Sequence, residues 1–359
     1  DNLKIFNASH NRIKVFPEQM DRCVNLVELN LSHNRIKTLS KGIGSLTKLE
    51  TLNLTKNEIE HLPKSCHKWK SLRTLDLSYN HLQDLPLSTD GWKTNLQRVN
   101  LDHNMLRELP QSIKNFQKIS EFTCSHNAIT TISSNIGNMV ELRHFDASHN
   151  HLKELPKSVS NCRKLTHVTL NNNSFTLCPS GLHNLFKMTT LSMSHNKIQN
   201  LVGMNRLMSL TTVNFAHNVI NQFPPDFVKL SQLRELDLSY NKVPLLPHDI
   251  SNLTQLKNVD LSHNAIVELP ARNCFSSLSH LTTLNLGHNE LSALADDELA
   301  PLSQSLHKLV LCHNRFQSRP AVLDHFRGVA HFDMDNNDVM IARRVITAKE
   351  RLNCMEERV

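Results

Sequence analysis

The sequence has 359 residues, of which 40 are Lys or Arg and 33 are Asp or Glu, so its formal net charge is +7. A hydrophobic fraction of 39% is too high for a disordered chain, and no run of about 18 apolar residues is present that could span a membrane. The chain has only 8 Gly, which argues against glycine-rich nucleotide-binding loops.

The predicted elements follow one another along the chain with a period close to 23 residues. Apolar residues almost always stand eight, five and three residues before a recurring Asn and two residues after it, and ten of the fifteen units have Pro six residues after it. The recurring Asn residues are Asn11, Asn34, Asn57, Asn80, Asn104, Asn127, Asn150, Asn173, Asn196, Asn218, Asn241, Asn264, Asn289, Asn314 and Asn337.

Each part of this unit has a physical reading. Alternation of Leu with other residues places the leucines on the inner side of a short strand and the intervening residues on its outer side. One such strand cannot bury its apolar side alone, so neighbouring units stack and share a core. The Asn amide both donates and accepts hydrogen bonds and satisfies the backbone of a buried turn, and the following Pro ends the strand.

The spelling L-x-x-L-x-L-x-x-N-x-L-x-x-L-P resembles the leucine-rich repeat over residues 3–339. The resemblance implies an α/β solenoid, a right-handed superhelix of about 15 units with a parallel concave β-sheet and an irregular or short-helical convex side. We therefore expect residues 1–340 to form this solenoid. Because the chain begins inside a strand at Leu3, we expect further sequence upstream.

The repeat pattern changes after residue 340. Apolar residues then recur at alternating spacings of four and three, which predicts an amphipathic helix over residues 341–359. These residues are Ile341, Val345, Ala348, Leu352 and Met355. The helix could cover the last unit as a cap, or it could be a coiled-coil seam or a linker into another domain.

One unit contains one extra residue, the two units between Asn264 and Asn314 contain two extra residues each, and the unit ending at Asn218 is one residue shorter. The gap from Asn80 to Asn104 is 24 residues, and residues 87–92 form a turn-rich segment there. Two interpretations of these departures stay open: they change the curvature of the stack, or they form a dedicated docking loop.

The cysteines indicate the compartment. Eight Cys are scattered through the chain without a C-x-x-C motif or paired spacing, which argues against a disulfide framework and against a zinc site. We therefore expect a cytoplasmic protein.

Ten of the fifteen residues directly before the repeat Asn are His. Because S-H-N is a common spelling of this repeat, the simplest interpretation is that His fills the position without a chemical role. A metal ladder is disfavoured because no carboxylate or Cys recurs beside the His. Two imidazolium groups about 4.8 Å apart in water repel by about 0.9 kcal/mol, so a pH-sensitive strip that loosens in mild acid remains a hypothesis. The ten are His10, His33, His103, His126, His149, His195, His217, His263, His288 and His313.

No other motif predicts chemistry. Residues 333–338 imitate the start of a calcium loop, but Asp338 stands where Gly is needed and Arg344 where Glu is needed. Lys and Arg are dispersed and aromatic residues are few, so nucleic-acid binding is not expected. Enzyme motifs are missing from the sequence. We predict no catalytic residue, no cofactor, no metal and no small-molecule substrate.

The remaining candidate is the outward face of the sheet, where residues that leave the repeat spelling could bind a protein partner. Arg and Tyr are frequent interface anchors. The predicted partner-binding residues are Tyr79, Arg98, Asp102, Glu121, His144, Asp146 and His167. A weaker candidate is the corner of Lys308, Val310, Cys312, His331 and Asp333. For both patches the alternative is an ordinary solvated surface.

The L-P spelling without cysteine-rich caps is similar to the intracellular leucine-rich-repeat class that includes Ras-pathway scaffolds and LAP polarity proteins. Residues 173–179 resemble a unit of the Ras-pathway scaffolds. The resemblance implies a non-enzymatic scaffold that binds a protein partner on its concave face in intracellular signalling. The alternative is a regulatory or structural module of a larger chain or assembly, for example beside a phosphatase, cyclase or GTPase domain.

Overall fold

A computed structural model of the chain describes residues 2–86, 88–270, 274–295, 298–326 and 329–337. The chain divides into two compact units, Asp1–Asn196 and Lys197–Val359. The helix predicted for residues 341–359 lies outside the described residues.

Every repeat contributes one three-residue strand to a parallel sheet. The strands of the first unit are Ile5–Asn7, Glu28–Asn30, Thr51–Asn53, Thr74–Asp76, Arg98–Asn100, Glu121–Thr123, His144–Asp146, His167–Thr169 and Thr190–Ser192. Those of the second unit are Thr212–Asn214, Glu235–Asp237, Asn258–Asp260, Thr283–Asn285, Lys308–Val310 and His331–Asp333. Neighbouring strands pair one repeat apart, with Leu29 opposite Leu52, for example. The predicted repeat solenoid is confirmed.

The chain returns from one strand to the next through short 3₁₀ helices. Many of them begin directly after the repeat Pro, whose φ near −65° suits the residue before a helix. The helices are Glu18–Arg22, Lys41–Ser45, Lys64–Lys68, Asp90–Lys93, Gln111–Asn115, Ser134–Asn138, Lys157–Asn161, Ser180–Asn184, Met204–Arg206, Pro225–Lys229, His248–Asn252, Ala300–Gln304 and Ala321–Phe326. Thus every helix within the described ranges is a 3₁₀ helix.

A second row of pairing lies between the sheet and the helices. In the first unit Val15 bridges to Thr38, and Thr38 bridges to His61. Further along, Glu108–Leu109 pairs with Thr131–Ile132, and in the second unit Leu245 bridges to Glu268.

Aromatic residues replace part of the aliphatic core near the 24-residue repeat. The indole rings of Trp69 and Trp92 stack with their centroids 6.4 Å apart, and both side chains are fully buried. Their N–H groups donate to the carbonyls of Ile43 (2.9 Å) and Cys66 (3.0 Å), so no indole donor is left without a partner in the core. At Gly91 a Cβ atom would lie 2.1 Å from the carbonyl oxygen of His67, so this approach requires glycine.

The repeat Asn joins each repeat to the one before it. Nδ2 of Asn150 donates to the carbonyl of Cys124 in the preceding repeat (3.0 Å) and to that of Ala147 in its own repeat (3.1 Å). Its Oδ1 accepts the N–H of Ile129, also in the preceding repeat (2.9 Å). Because these groups are buried, the Asn satisfies backbone atoms that water does not reach.

We predict that Asn150→Ala destabilises the protein. Each buried backbone group left unpaired should cost about 1–3 kcal/mol, so the urea midpoint followed by circular dichroism should fall clearly. Asn11→Ala is the matched control, because Asn11 is exposed and donates only within its own repeat, to Ala8 and Ser9. Equal midpoints for the two variants would contradict the role given to the Asn.

Candidate functional site

The outward face of the sheet, here called the sheet face, consists of the residues six, four and two positions before each repeat Asn. In a typical strand the middle residue is buried and its neighbours are accessible: Val99 is buried between Arg98, which is exposed, and Asn100, which is half-buried. Each strand therefore contributes two accessible side chains to the face, whereas the residue two before the Asn is buried in many repeats, as Ser32 and Ser78 are.

The residue four before the Asn has a structural role that the sequence reading missed. Where it is Asn or Asp, its Oδ1 accepts the backbone N–H two residues later, as Asn30 does from Ser32 (3.0 Å). Asp76 does the same for Ser78 (2.9 Å). This Asx-type bond closes the end of the strand, which explains why short polar residues dominate the position.

Asp102 compensates for a repeat that lacks this bond. The following repeat has Thr123 in the Asx position, and Asp102 of the preceding repeat accepts the N–H of Ser125 instead (2.6 Å). The same replacement of one acceptor by another occurs in the repeat that has Ser192 in the Asx position. There Asn171 of the preceding repeat accepts the N–H of Ser194 (2.8 Å). Burial raises the pKa of the Asp102 carboxyl, although its hydrogen bonds with Ser125 oppose that effect.

The strands bring four of the predicted binding residues into one row. Arg98 lies opposite Glu121, Glu121 opposite His144, and His144 opposite His167. All four are exposed. The two imidazole rings stack with centroids 4.4 Å apart, and burial together with the neighbouring His144 lowers the pKa of His167.

The other predicted residues flank this row. Asp146 follows His144 by two positions and accepts the N–H of Ser148 (2.8 Å). Tyr79 is 46% exposed, and its ring stacks on His103 with centroids 4.1 Å apart. The Nζ of Lys56 lies 5.5 Å from the Tyr79 ring centroid. Tyr79 is thus fixed at the edge of the sheet face.

The weaker candidate corner lies in the second unit. Lys308 is opposite His331, and Val310 is opposite Asp333. Burial and, after it, the nearby Asp333 raise the pKa of Cys312 to about 11, so this thiol is protonated at neutral pH.

The residue directly before each repeat Asn has a backbone conformation that the sequence reading did not anticipate. In all fifteen repeats its φ is positive, between 51° and 56°, although none is Gly. This left-handed conformation is uncommon for residues other than Gly, with Asn and His among the exceptions. Its regular use points the side chains along one edge of the sheet.

The His and Tyr rings in this column stack closely. Centroids of His126 and His149 are 3.9 Å apart, and those of His263 and His288 are 3.8 Å apart. Burial and then a neighbouring imidazole lower the pKa of His33, His149 and His288; burial also lowers that of His263. Asp146, Asp260 and Asp333 act in the opposite direction on His149, His263 and His288 respectively.

Sequence comparison identifies the repeat. The family model described as a leucine-rich repeat region matches residues 122–341, and a second one, described as a leucine rich repeat, matches residues 24–82. No curated protein matches the chain. The part of the chain that the structure describes contains no helix long and apolar enough to cross a membrane.

Solved structures share the fold. The Leptospira interrogans leucine-rich-repeat protein LIC12759 is 28% identical with a TM-score of 0.85, and the match covers 96% of this chain and 87% of that one. An internalin (InlF) of Listeria monocytogenes is 19% identical with a TM-score of 0.69, over 93% and 87% of the two chains. The Toll–Spatzle complex of Drosophila matches at 21% identity with a TM-score of 0.68, over 94% and 47%.

We predict that Asp102→Asn keeps or raises stability, because Asn still accepts the Ser125 N–H and removes a half-buried charge. Asp102→Ala should lose about 1–3 kcal/mol through the unpaired N–H. Urea unfolding at pH 7 measures both, and Asn171→Asp is the reverse control, which should destabilise. Because the carboxyl pKa is raised in the folded state, the gain of Asp102→Asn should shrink as the pH falls towards that pKa. Equal stability of the Asn and Ala variants would refute the compensating bond.

We predict a lower melting temperature at pH 5.5 than at pH 7.5. Because their pKa values are lowered in the folded protein, His33, His149, His263 and His288 bind protons more weakly there than in the unfolded chain. Their contribution to stability is therefore complete above the ordinary His pKa near 6.5 and declines as the pH falls below it. Replacing His149 and His263 by Tyr, which occupies the same position at Tyr79 and Tyr240, should reduce the difference. Identical melting temperatures at the two pH values would contradict the proposed pH sensitivity of the column.

Proposed function

Because this chain belongs to the leucine-rich-repeat family, we propose that it is a non-enzymatic scaffold that binds a protein partner on the sheet face of its first unit. The repeats of this family generally mediate protein–protein interaction through the surface that the stacked strands present. The supporting observation is the row from Arg98 to His167, in which four successive repeats carry charged or imidazole side chains, whereas Thr occupies the same position in the repeats directly before and after the row.

The chemistry of the row suits a protein interface. The Arg98 guanidinium makes a long contact with Thr74 Oγ1 (3.4 Å), and within the described residues neither Arg98 nor Glu121 forms an ion pair. Both charges can therefore pair with groups of a partner, and such pairs act mainly on specificity and association rate. Tyr79 adds an aromatic surface that is already held in place by stacking, so little side-chain entropy is lost on binding.

The carboxylates of the patch contribute differently. Asp102 and Asp146 each give one oxygen to a backbone N–H of the repeats, which fixes their orientation. We propose that they hold the local shape and negative charge of the surface, while Arg98, Glu121 and the His144–His167 pair make the adjustable contacts.

We also propose that the protein acts in the cytoplasm, in signalling. None of the seven cysteines that the structure describes is part of a disulfide, as is usual in a reducing compartment. Burial raises the pKa of Cys66, Cys162 and Cys178 to about 12 in each case, so these thiols are protonated residues of the core.

We predict that Arg98→Glu combined with Glu121→Arg abolishes capture of at least one partner. Affinity purification of wild type and variant followed by mass spectrometry measures the loss. The control exchanges the exposed ion pair of Lys37 and Glu58 (3.7 Å), which also leaves the net charge unchanged but lies off the sheet face. Unchanged thermal melts should accompany both exchanges. Equal capture of every protein by the wild type and by the sheet-face variant would contradict the proposal that a partner binds at Arg98 and Glu121.

A further inference from the structure

A cavity of about 810 Å³ opens among residues that follow the repeat Asn, on a surface separate from the sheet face of the first unit. Leu62, Leu85, Pro86 and Pro110 form its apolar wall. The volume lies within the range of protein ligand sites, and it is large enough for a bulky apolar side chain.

The cavity occurs at an interruption of the outer row of pairing. That row runs from Val15 through Thr38 to His61 and resumes at Glu108. The position between them belongs to the 24-residue repeat and is occupied by Asp84, and no bridge among the described residues includes it. The extra residue of this repeat therefore coincides with a break in the row, and the break leaves space between His61 and Glu108, which both line the cavity.

Several polar groups at the edge of the cavity already have partners within the chain. Nδ1 of His61 lies 3.2 Å from Oδ1 of Asp84. The Ser88 hydroxyl donates to Oδ2 of Asp90 (2.9 Å). The Asp84 carboxylate thus has His61 as a partner, whereas the Lys64 ammonium, which also lines the cavity, takes part in none of the ion pairs found among the described residues.

Lys64 also belongs to a positive surface, here called the lysine rim. Residues 41–48 and 64–71 contain five Lys and no Asp or Glu. Lys41, Lys64 and Lys68 lie on two 3₁₀ helices that are in direct contact, since a Cβ atom on Gly44 would lie 2.5 Å from Ser65. Lys48 and Lys70 follow these helices along the chain. All five side chains are exposed. The lysine rim consists of Lys41, Lys48, Lys64, Lys68 and Lys70.

We propose that the cavity and the lysine rim together form a second docking site, which binds an acidic segment of a protein partner that places a large apolar side chain in the cavity. An apolar anchor in a pocket beside charges at the rim is the usual arrangement of a protein interface. The acidic residues of the segment pair with the lysine rim and accelerate association. This site is independent of the sheet face, and a chain with both sites holds two partners at once.

The structure favours an acidic peptide over other polyanions. Single-stranded nucleic acid needs exposed aromatic rings on which bases stack, whereas Trp69 and Trp92 beside the lysine rim are fully buried. An anionic membrane would use the lysines but has no reason to depend on the cavity.

The experiment selects peptides from a displayed random library on the intact protein, and then measures the affinity of the enriched peptides for three variants. Lys64→Glu with Lys68→Glu reverses the charge of the lysine rim. Gln83→Trp fills the cavity from an exposed lining residue. Lys229→Glu with Lys242→Glu is the matched control, with the same change of net charge at exposed lysines of the second unit. Thermal melting verifies that each variant is folded.

We expect enriched peptides to carry Asp or Glu around one large apolar residue. Both the rim and the cavity variants should weaken their binding by about tenfold or more, while the control variant should bind as wild type does. The proposal is overturned if no acidic peptide is enriched, or if Gln83→Trp has no effect. It is also overturned if phosphatidylserine vesicles or single-stranded DNA bind through the same lysines without dependence on the cavity. None of these outcomes depends on Arg98 or Glu121. The proposal of this site and the proposal of the sheet-face site can therefore be refuted independently.

Discussion

The hydrogen bonds of the repeat Asn are the constraint on which the structure depends. A strand of three residues buries one side chain and leaves the backbone at its end in a turn inside the stack. The amide of Asn57 donates to the carbonyl of Leu31 in the preceding repeat and to that of Leu54 in its own, while its oxygen accepts the N–H of Ile36. Because donor and acceptor are both required at the same place, an isosteric Leu or Asp cannot replace the Asn.

This requirement explains how much of the fold could be predicted. The Asn period and the Leu spacing define the strands, their register and the buried rows, and the structure confirms them. The 3₁₀ helices could be predicted only as short turns, because their form depends on contacts between neighbouring repeats, such as the approach of Gly44 to Ser65. Such contacts have no signal in the sequence of a single repeat.

The candidate site was less predictable. Arg98, Glu121, His144 and His167 could be recognised because they depart from the repeat spelling, and the register places them in one row. Asp102 departs from it too, but its carboxylate replaces the Asx bond that Thr123 cannot make. A comparison of each repeat with the next one would have revealed the role of Asp102. Asn171 likewise stands in the repeat before Ser192, which cannot make the Asx bond. The cavity beside Asp84 lies in the repeat whose extra residue the sequence shows, but its lining comes from three consecutive repeats, and the residue types of one repeat do not reveal it.

The positive φ before each repeat Asn limits which residues can ever occupy that position. Branching at Cβ makes this conformation costly, and none of the fifteen occupants is Val, Ile or Thr. The backbone conformation therefore restricts which residues this position tolerates, whatever the function of the side chain. We expect this position to vary among His, Asn, Tyr and Lys. A His that distant repeats share is therefore weak evidence that these side chains have a common function.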